Sequence, residues 1–512
     1  MKKLPAVTLS VLLVNTLFAC NNNQSQQTDI SISPVGMKKT GSISERFLAY
    51  NVEMVEVTGG RFWAPYKEGK APSGDERYEY RPPIDLTNAR LQKMAAGLAP
   101  SYVRFSGTWA NATYFANTDT PPSQPPSGFD AILTRQQWQD AVNFAQIADA
   151  EIVLSLATSA GARDANGHWQ ADNATQLLEF TDSLGATIAG LEFANEPNMI
   201  GLTQPPENYS PSDYHRDYSH FYDWIKQSSP TTLVMGPGAV EMGEPMRTMA
   251  YHLGPDTFQP EELLSADTPK PDIFSFHYYG ASSQRCHIPI IGSQPEDAFE
   301  LDWLASIDDG INKSTKLRDR FAPNAPLWIS ESGETACGGN PWATTFDDTY
   351  RFVDQLARSA QQGVQVFMHN TLAASDYALL DEHDFTPRPN YWAAWVWRNL
   401  MGTAVLNPGI KGANIYAHCH RNITGAVTVL AVNIQKDKTR IINVDAGGTL
   451  YTLTAAETGS HQAAVNGIDL TLGEGDSFPE LKGKPFSAGQ IELEPVSVNF
   501  MVFEEAGNPS CG

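Results

Sequence analysis

Polar side chains with the capacity for chemistry stand at or near the ends of several short apolar runs. The runs are RFLAYNVE, LEFANEPN, IFSFHYY and LWISES. Runs of this length and composition are typical of buried strands, so their terminal polar side chains should lie at the rim of a core. The residues placed in this way are Glu53, Asn195, Glu196, His277, Tyr279 and Glu331.

The carboxylates Glu196 and Glu331 form a pair that could cleave a glycosidic bond. In a retaining hydrolase, a protonated carboxyl group gives its proton to the leaving oxygen, and an ionised one, about 5 to 5.5 Å away, attacks the anomeric carbon. Water then releases the sugar, with the first group acting as a base. A single glutamate at a strand end is usually salt-bridged or solvated, so the hypothesis depends on the pair.

Eight apolar runs with helical stretches between them predict the fold. A (β/α)8 TIM barrel is favoured, and in that fold the carboxyl ends of the strands open into the active-site cleft. A doubly wound open sheet is the alternative, although no GxGxxG or GxxxxGK[ST] follows a run. The predicted strands are 46–53, 102–107, 152–158, 190–197, 233–238, 273–279, 327–332 and 364–370.

The last part of the chain alternates apolar and polar residues without helical periodicity, in runs such as VTVLAVNI and LYTLTA. This pattern predicts a C-terminal antiparallel β-sandwich domain. We expect a catalytic barrel over residues 43–402 and the sandwich over 403–512, with an N-terminal strand from about 29–44 as a further candidate member of the sandwich.

The N-terminus has the order of a bacterial export signal. Two lysines precede an apolar stretch that ends in LFAC at Cys20, which predicts a lipoprotein signal peptide over 1–20 and lipidation of that cysteine. A plain signal peptide cut near the same place is the alternative. Residues 21–42 are predicted to be a flexible tether, so the protein would be exported and held at the bacterial cell envelope, in the periplasm or at the outer membrane, by its lipid.

The composition restricts the partners. With a formal net charge of -23, the protein should repel polyanions, so nucleic acid and heavily sulfated polysaccharides are unfavourable ligands. The 41% hydrophobic content fits a globular protein with a sizeable core.

Four cysteines remain after Cys20, and an even number in an exported protein favours disulfides. Cys286 and Cys337 follow the sixth and seventh runs and could pair near the cleft, while Cys419 and Cys511 could tie down the end of the sandwich. Neither CxxC nor HExxH occurs, so no metal site is predicted. Two carboxylates suffice for the proposed chemistry, so no cofactor is expected either.

The sequence resembles glycoside hydrolase family 79, the clan A family of heparanases and β-glucuronidases, over essentially the whole mature chain. The matching segments include FLAYNVEMV, AGLAPSYVRFSGT, LEFANEPN, FSFHYYG and LWISESGETACGG. The stretch ASDYALLDEHDFTPRPNYWAAWVWRNLMGTAVL also matches, and its DYALLDE, PNYW and LMGTAVL elements are the most particular to the family.

The resemblance implies that Glu196 is the general acid/base and Glu331 the nucleophile. Glu334 is a second candidate nucleophile, disfavoured because it lies beyond Gly333 in a loop. The implied substrate-binding residues are Glu53 for sugar hydroxyls, Asn195 for the 2-hydroxyl, Tyr279 with His277 for orienting the nucleophile, and the Tyr377 hydroxyl with the Ser375 N–H for a uronate carboxyl. Trp63, Trp109 and Trp342 are candidates for stacking on sugar rings.

The implied function is a retaining β-glucuronidase that releases β-linked glucuronic acid, or its 4-O-methyl ether, from glycans or glycoconjugates. Three alternatives stay open: an endo-β-glucuronidase on heparan-sulfate-like or hyaluronan-like chains, a clan A glycosidase for neutral sugars, and an inactive lipid-anchored glycan-binding protein.

Overall fold

The computed structural model describes residues 30–67, 70–242, 257–286 and 292–512. The predicted signal peptide, the lipidation residue Cys20 and the first part of the predicted tether lie outside these residues. Within them, no helix is both long enough and apolar enough to cross a membrane.

Eight parallel strands close into a barrel, and each pairs with its neighbours in chain order. The predicted (β/α)8 barrel is therefore confirmed. Every residue of the first, sixth and seventh strands is buried, as expected of a parallel sheet that is covered on both faces. The strands are β1 (Leu48–Glu53), β2 (Ser101–Ser106), β3 (Ala150–Ser155), β4 (Ile188–Glu192), β5 (Leu233–Met242), β6 (Ile273–Tyr279), β7 (Leu327–Ser332) and β8 (Val364–His369).

Helices follow most of the strands and cover the barrel. Polar residues fix several of their N-termini: the Thr134 hydroxyl accepts from Gln137 N–H at 3.2 Å, and Ser210 forms the same kind of capping box with Asp213. The helices are Met54–Thr58, Ala89–Ala96, Arg135–Ile147, Asp172–Ser183, Ile200–Thr203, Pro211–Ser228, Leu301–Ala305, Ile307–Phe321, Asp347–Gln361 and Pro389–Leu400.

Two short strand pairs lie in the loops above the barrel. Gly60–Trp63 pairs antiparallel with Tyr78–Arg81 after β1, and Thr113–Ala116 pairs parallel with Ala131–Thr134 after β2. Both are inserted at the carboxyl ends of the strands, where they build the walls of the cleft.

The strand β4 ends earlier than the sequence predicts. The run 190–197 was expected to be strand throughout, but the strand stops at Glu192, and Asn195 and Glu196 lie in the loop beyond it. The Asn111 side chain accepts from Asn195 N–H at 2.9 Å and donates to the Asn195 carbonyl at 3.0 Å. An amide side chain thus takes the place that a neighbouring strand would have, and it holds the loop that carries Glu196.

The β-sandwich consists of a nine-stranded and a three-stranded sheet among the described residues. Apolar residues such as Ile32, Val429 and Ile442 fill the space between the sheets. The larger sheet contains Lys39–Ser42, Met401–Leu406, Ile415–His420, Val427–Asn433, Gly448–Thr454, Ala464–Val465, Ile468–Asp469, Lys484–Phe486 and Ser497–Phe503, and the smaller one contains Ile30–Ile32, Arg440–Val444 and Gly489–Leu493.

The described part of the predicted tether is structured. Ile30–Ile32 pairs with Arg440–Val444, and Lys39–Ser42 pairs with Met401–Leu406. The candidate N-terminal strand accordingly corresponds to two strands, one in each sheet. Their pairing is favourable because Ile32 and Met37 bury their side chains in the sandwich core.

Both predicted disulfide pairings are present. Cys286 joins Cys337 between the loops that follow β6 and β7, and Cys419 joins Cys511 in the sandwich. The other face of the larger sheet packs on the barrel helices, since Leu430 and Phe500 share a core cluster with Trp397. The sandwich therefore packs directly against the barrel.

Candidate active site

Arg104, in the middle of β2, is the fully buried centre of the site. Its Nε donates to Glu192 Oε2 at 2.8 Å, and its Nη1 donates to Glu331 Oε2 at 3.0 Å. Its Nη2 donates to Asn195 Oδ1 at 2.9 Å and lies 3.1 Å from His277 Nε2. One guanidinium thus connects residues from four different strands or strand-end loops.

The buried charges of this network compensate one another. Burial alone would lower the pKa of Arg104, but Glu192 and Glu331 raise it above its usual value. Burial would raise the pKa of Glu192, but the charge of Arg104 and the hydrogen bonds from Arg104 and Ser155 lower it below the usual range. Glu192 also accepts from the Ser155 hydroxyl at 2.8 Å, so the carboxylate is well satisfied although it is buried.

His277 is neutral and its tautomer follows from its neighbours. Burial lowers the pKa of His277 to about 4. A guanidinium only donates hydrogen bonds, so His277 Nε2 must accept from Arg104 and the ring hydrogen must be on Nδ1. That nitrogen lies 3.0 Å from Glu196 Oε1, so His277 donates to Glu196.

Glu196 has the environment of a proton donor. Its side chain is almost completely buried, and this burial raises its pKa to about 7. One of its oxygens is occupied by His277, which leaves the other to carry a proton. The backbone of Glu196 adopts a φ of 49°, an uncommon conformation that the Asn111 contacts to the preceding residue help to hold.

Glu331, on β7, has the environment of an anion. The Tyr279 hydroxyl donates to Glu331 Oε1 at 2.7 Å, and Arg104 donates to Oε2. Hydrogen bonds donated to both oxygens favour the ionised form. One carboxylate oxygen of Glu331 lies within 4.8 Å of one of Glu196, a separation comparable with that of retaining glycosidases.

The same atoms of Glu196, His277 and Glu331 are close enough together to be considered as a metal-ligand set. The Arg104 guanidinium contacts two of these three residues, and its positive charge opposes a cation at this position.

Glu334, the second candidate nucleophile, is used elsewhere. It is buried and accepts from the Ser293 hydroxyl at 2.8 Å, Asn340 N–H at 2.9 Å and Trp342 Nε1 at 3.1 Å. Burial, followed by the charge of Asp348, raises its pKa. Its oxygens therefore hold together the loop after β7. Trp342 donates its indole N–H within that loop.

Glu53, at the end of β1, lies beside Glu331. Burial, and next the charge of Glu331, raises the pKa of Glu53 well above its usual value. Its Oε1 accepts from Asn370 Nδ2 at 3.1 Å. A Cβ on Gly107 would lie only 1.7 Å from Glu53 Oε2, and Gly107 has a φ of 84°, so the position excludes a side chain.

The loop after β8 brings Tyr377 to the same place. Asn370 Nδ2 donates to the Tyr377 hydroxyl oxygen at 3.0 Å. Ser375 lies in the same loop with a φ of 75°, and its hydroxyl donates to the Gly338 carbonyl at 2.8 Å. This left-handed conformation favours glycine and is tolerated here because the Ser375 hydroxyl is fixed.

A second buried arginine holds this loop in position. Arg285 Nε donates to the Ala64 carbonyl at 2.8 Å, and its Nη1 donates to the Gly339 carbonyl at 2.7 Å. Its Nη2 pairs with the Asp376 carboxylate, between Ser375 and Tyr377. The neighbouring Cys286–Cys337 disulfide links the same loops, so the cleft wall on this side is cross-linked.

A cluster of aromatic residues, Trp63, Tyr78 and Trp109, lies in the loops after β1 and β2. The rings of Trp63 and Tyr78 stack at 4.7 Å, and Trp109 lies edge-on to Trp63 at 6.1 Å. A Cβ on Gly338 would lie 2.8 Å from Trp63 Cγ, so Trp63 packs directly beside the segment that binds Ser375. Trp63 and Trp109 are thus placed near the loop of Ser375 and Tyr377.

The comparisons with known proteins agree with this architecture. No protein-family model matches the chain. Heparanase of Mus musculus is 24% identical over 503 residues, covering 83% of this chain and 88% of its own, and baicalin-β-D-glucuronidase of Scutellaria baicalensis is 24% identical over 550 residues, covering 96% and 95%. Inactive heparanase-2 of Homo sapiens is 24% identical over 413 residues, covering 74% and 66%. The chain is thus a low-identity homologue of heparanases and a β-glucuronidase.

Solved structures share the fold. An α-L-arabinofuranosidase from Thermotoga maritima superposes with a TM-score of 0.62 at 15% identity, covering 93% of this chain and 99% of its own. A 4-O-α-L-rhamnosyl-β-D-glucuronidase from Fusarium oxysporum gives a TM-score of 0.60 at 12% identity, covering 92% and 99%. Barrel and sandwich together are therefore a known glycosidase architecture.

Arg104, Glu192 and Asn370 are not among the site residues predicted from the sequence. A signal was present in each case: the two charged residues interrupt otherwise apolar strands, in YVRFSG and GLEF, and Asn370 ends the run VQVFMHN. A charged residue within a fully buried strand requires a buried partner. The sequence could not identify which residues are the partners, because they come from other strands.

We expect Arg104→Met to destabilise the protein by about 3–5 kcal/mol, because it leaves the buried Glu192 and Glu331 without their cation. Denaturant unfolding of both proteins measures the loss. The double variant Arg104→Met/Glu192→Gln should recover part of it, since one unpaired charge is then removed. Equal stability of Arg104→Met and the wild type would contradict the role of this network.

Proposed function

We propose that the protein is a retaining glycoside hydrolase that releases β-linked glucuronic acid, or its 4-O-methyl ether, from glycans or glycoconjugates. The observation that carries the proposal is the pairing of Glu196 and Glu331, with carboxylate oxygens within 4.8 Å and opposite environments. Burial raises the pKa of Glu196 to about 7, while Glu331 receives hydrogen bonds on both oxygens.

The chemistry follows from these environments. Glu196 gives its proton to the glycosidic oxygen as the bond to the anomeric carbon breaks, while Glu331 attacks that carbon and forms a glycosyl ester. The ionised Glu196 then takes a proton from a water molecule, which hydrolyses the ester. His277 keeps Glu196 in position through its Nδ1–H, and Tyr279 and Arg104 orient Glu331.

A group of residues around the pair supports specificity for a uronate. The Tyr377 hydroxyl and the Ser375 N–H would hold the sugar carboxylate, and Asn195 would bind the 2-hydroxyl. Glu53 lies beside the same Asn370 nitrogen as Tyr377 and would bind other hydroxyls. Baicalin-β-D-glucuronidase, a relative over most of the chain, carries a β-glucuronidase activity in its name.

Exo-action on a terminal uronate fits the charges better than endo-action on a sulfated chain. The formal net charge is -23, and two arginines of the described cleft loops are already paired, Arg81 with Glu382 and Arg285 with Asp376. An endo-acting enzyme on heparan sulfate would need cations free to receive sulfate groups on several sugars.

An envelope location with a lipid on Cys20 is part of the proposal. It is supported by the LFAC sequence at the end of the N-terminal apolar stretch. The two disulfides are typical of proteins in oxidising compartments.

Hydrolysis of nitrophenyl glycosides tests the substrate and the two glutamates. We expect turnover of the β-glucuronide but not of the β-glucoside, β-xyloside or α-arabinofuranoside. Glu331→Gln should lower kcat/KM by more than about 10⁴-fold, and Glu196→Gln by about 10²- to 10⁴-fold. Glu334→Gln is the matched control and should stay within about tenfold of the wild type.

Activity on the neutral glycosides alone would refute the uronate assignment. Binding of glycans without any turnover would favour the inactive binding protein.

The stereochemistry of the product tests the proposed separation of the carboxylates. We expect ¹H NMR to detect β-glucuronic acid first, with the α-anomer appearing later at the rate of spontaneous mutarotation. Free glucuronic acid in the same buffer provides that rate. If the α-anomer forms first, the enzyme is inverting and Glu331 is not a nucleophile.

The pH dependence should show the acid role of Glu196. Because burial raises its pKa to about 7, the protonated form decreases as the pH rises through about 7. We expect kcat/KM for phenyl β-glucuronide, a substrate that needs a proton donor, to fall about tenfold per pH unit above that value. In Glu196→Gln, the residual activity should not decrease in this way above pH 7. If it still does, the decrease is caused by the titration of another group.

A further inference from the structure

Asn370 occupies the junction between the proposed nucleophile and the proposed carboxylate-binding loop. It follows the last residue of β8 and is 1% exposed. Four acceptors surround its Nδ2, which carries only two hydrogens: Tyr377 Oη at 3.0 Å, Glu53 Oε1 at 3.1 Å, Tyr279 Oη at 3.1 Å and Glu331 Oε1 at 3.5 Å.

The orientation of the amide follows from these partners. With the nitrogen towards Glu53 and Glu331, the amide donates to carboxyl oxygens, whereas the flipped orientation would place its oxygen against them. The Asn370 oxygen itself has no partner among the described residues. The amide is therefore held through its donor side.

This arrangement determines the direction of two phenolic hydrogens. The Tyr279 oxygen accepts from Asn370, and its hydrogen is donated to Glu331 at 2.7 Å. The Tyr377 oxygen lies 3.0 Å from the same nitrogen, and because an amide nitrogen cannot accept a hydrogen bond, the Tyr377 hydrogen must point away from it. No acceptor for this hydrogen is found among the described residues, so Tyr377 can donate it to a ligand oxygen.

We propose that Asn370 is a positioning residue that couples recognition of the substrate carboxylate to the nucleophile. This inference rests on the proposed uronate specificity. Through Tyr377, Asn370 presents a hydroxyl hydrogen to the carboxylate. Through Tyr279, the same amide maintains a hydrogen bond to Glu331. The residue that binds the substrate carboxylate and the nucleophile are therefore both positioned by Asn370.

A structural amide in this chain has a different set of partners. Asn390 is equally buried, but it donates to Asp348 at 2.7 Å and accepts from Thr349 at 2.9 Å. Both of its polar atoms are satisfied by groups that belong to the neighbouring helix Asp347–Gln361. Asn390→Ala is therefore a control for the loss of a buried amide.

The test compares two iminosugars by calorimetry: isofagomine, and its analogue with a carboxylate in place of the hydroxymethyl group. The ratio of their dissociation constants reports carboxylate recognition separately from binding at the two glutamates. In Asn370→Ala we expect the preference for the carboxylate analogue over isofagomine to fall about tenfold, and kcat for the β-glucuronide to fall as well. Asn370→Leu keeps the shape without the donors or an added charge and should give the same shift if the alanine variant folds poorly.

A double-variant cycle with Tyr377→Phe separates coupling from general damage. If Asn370 acts through the Tyr377 hydroxyl, adding Asn370→Ala to Tyr377→Phe will not change the iminosugar ratio further. Asn390→Ala should leave the ratio unchanged. The inference would be overturned if Asn370→Ala also left it unchanged, or if the losses of the two variants were additive. A wild type that does not prefer the carboxylate analogue would instead refute the proposed uronate specificity.

Discussion

The buried guanidinium of Arg104 is the interaction on which the rest of the site depends. It is fully buried and binds Glu192 of β4, Asn195 of the loop after β4, His277 of β6 and Glu331 of β7. A buried charge is tolerated only when its hydrogen bonds are satisfied, so each partner must occupy one position. The requirement that stabilises the barrel interior is thus the same one that fixes the geometry of the cleft.

Two glutamates of identical chemistry acquire different properties from this centre. Glu331 contacts the guanidinium and the Tyr279 hydroxyl, and both favour its anion. Among the described residues, the side chain of Glu196 has one hydrogen-bond partner, the Nδ1–H of His277, and burial raises its pKa to about 7. The difference arises because Arg104 donates directly to Glu331, whereas the neutral His277 stands between Arg104 and Glu196.

The outer cleft is held by separate means. Arg285 and the Cys286–Cys337 disulfide cross-link the loops after β1, β6, β7 and β8, and Glu334 organises the loop after β7. The hydrogen bonds and the covalent link act together with buried apolar loop residues such as Leu372, Leu379 and Leu380. The loop with Ser375 and Tyr377 consequently rests on a rigid wall rather than on the barrel strands alone.

The sequence by itself determined the eight barrel strands, the sandwich and the two cysteine pairs. The strands follow from local periodicity, which depends on neighbouring residues only, whereas the cysteine pairs follow from the predicted order of strands and domains. It also indicated which polar residues reach the cleft, because the carboxyl ends of parallel strands meet at one rim.

Only the tertiary structure decided where β4 ends, what Glu334 does and why Arg104 and Asn370 matter. The strand stops at Glu192 because Asn111, from another loop, takes over the hydrogen bonds of Asn195. Asn370 meets acceptors on β1, β6 and β7. Such contacts join residues far apart in sequence, and no local pattern encodes a partner that only folding brings near.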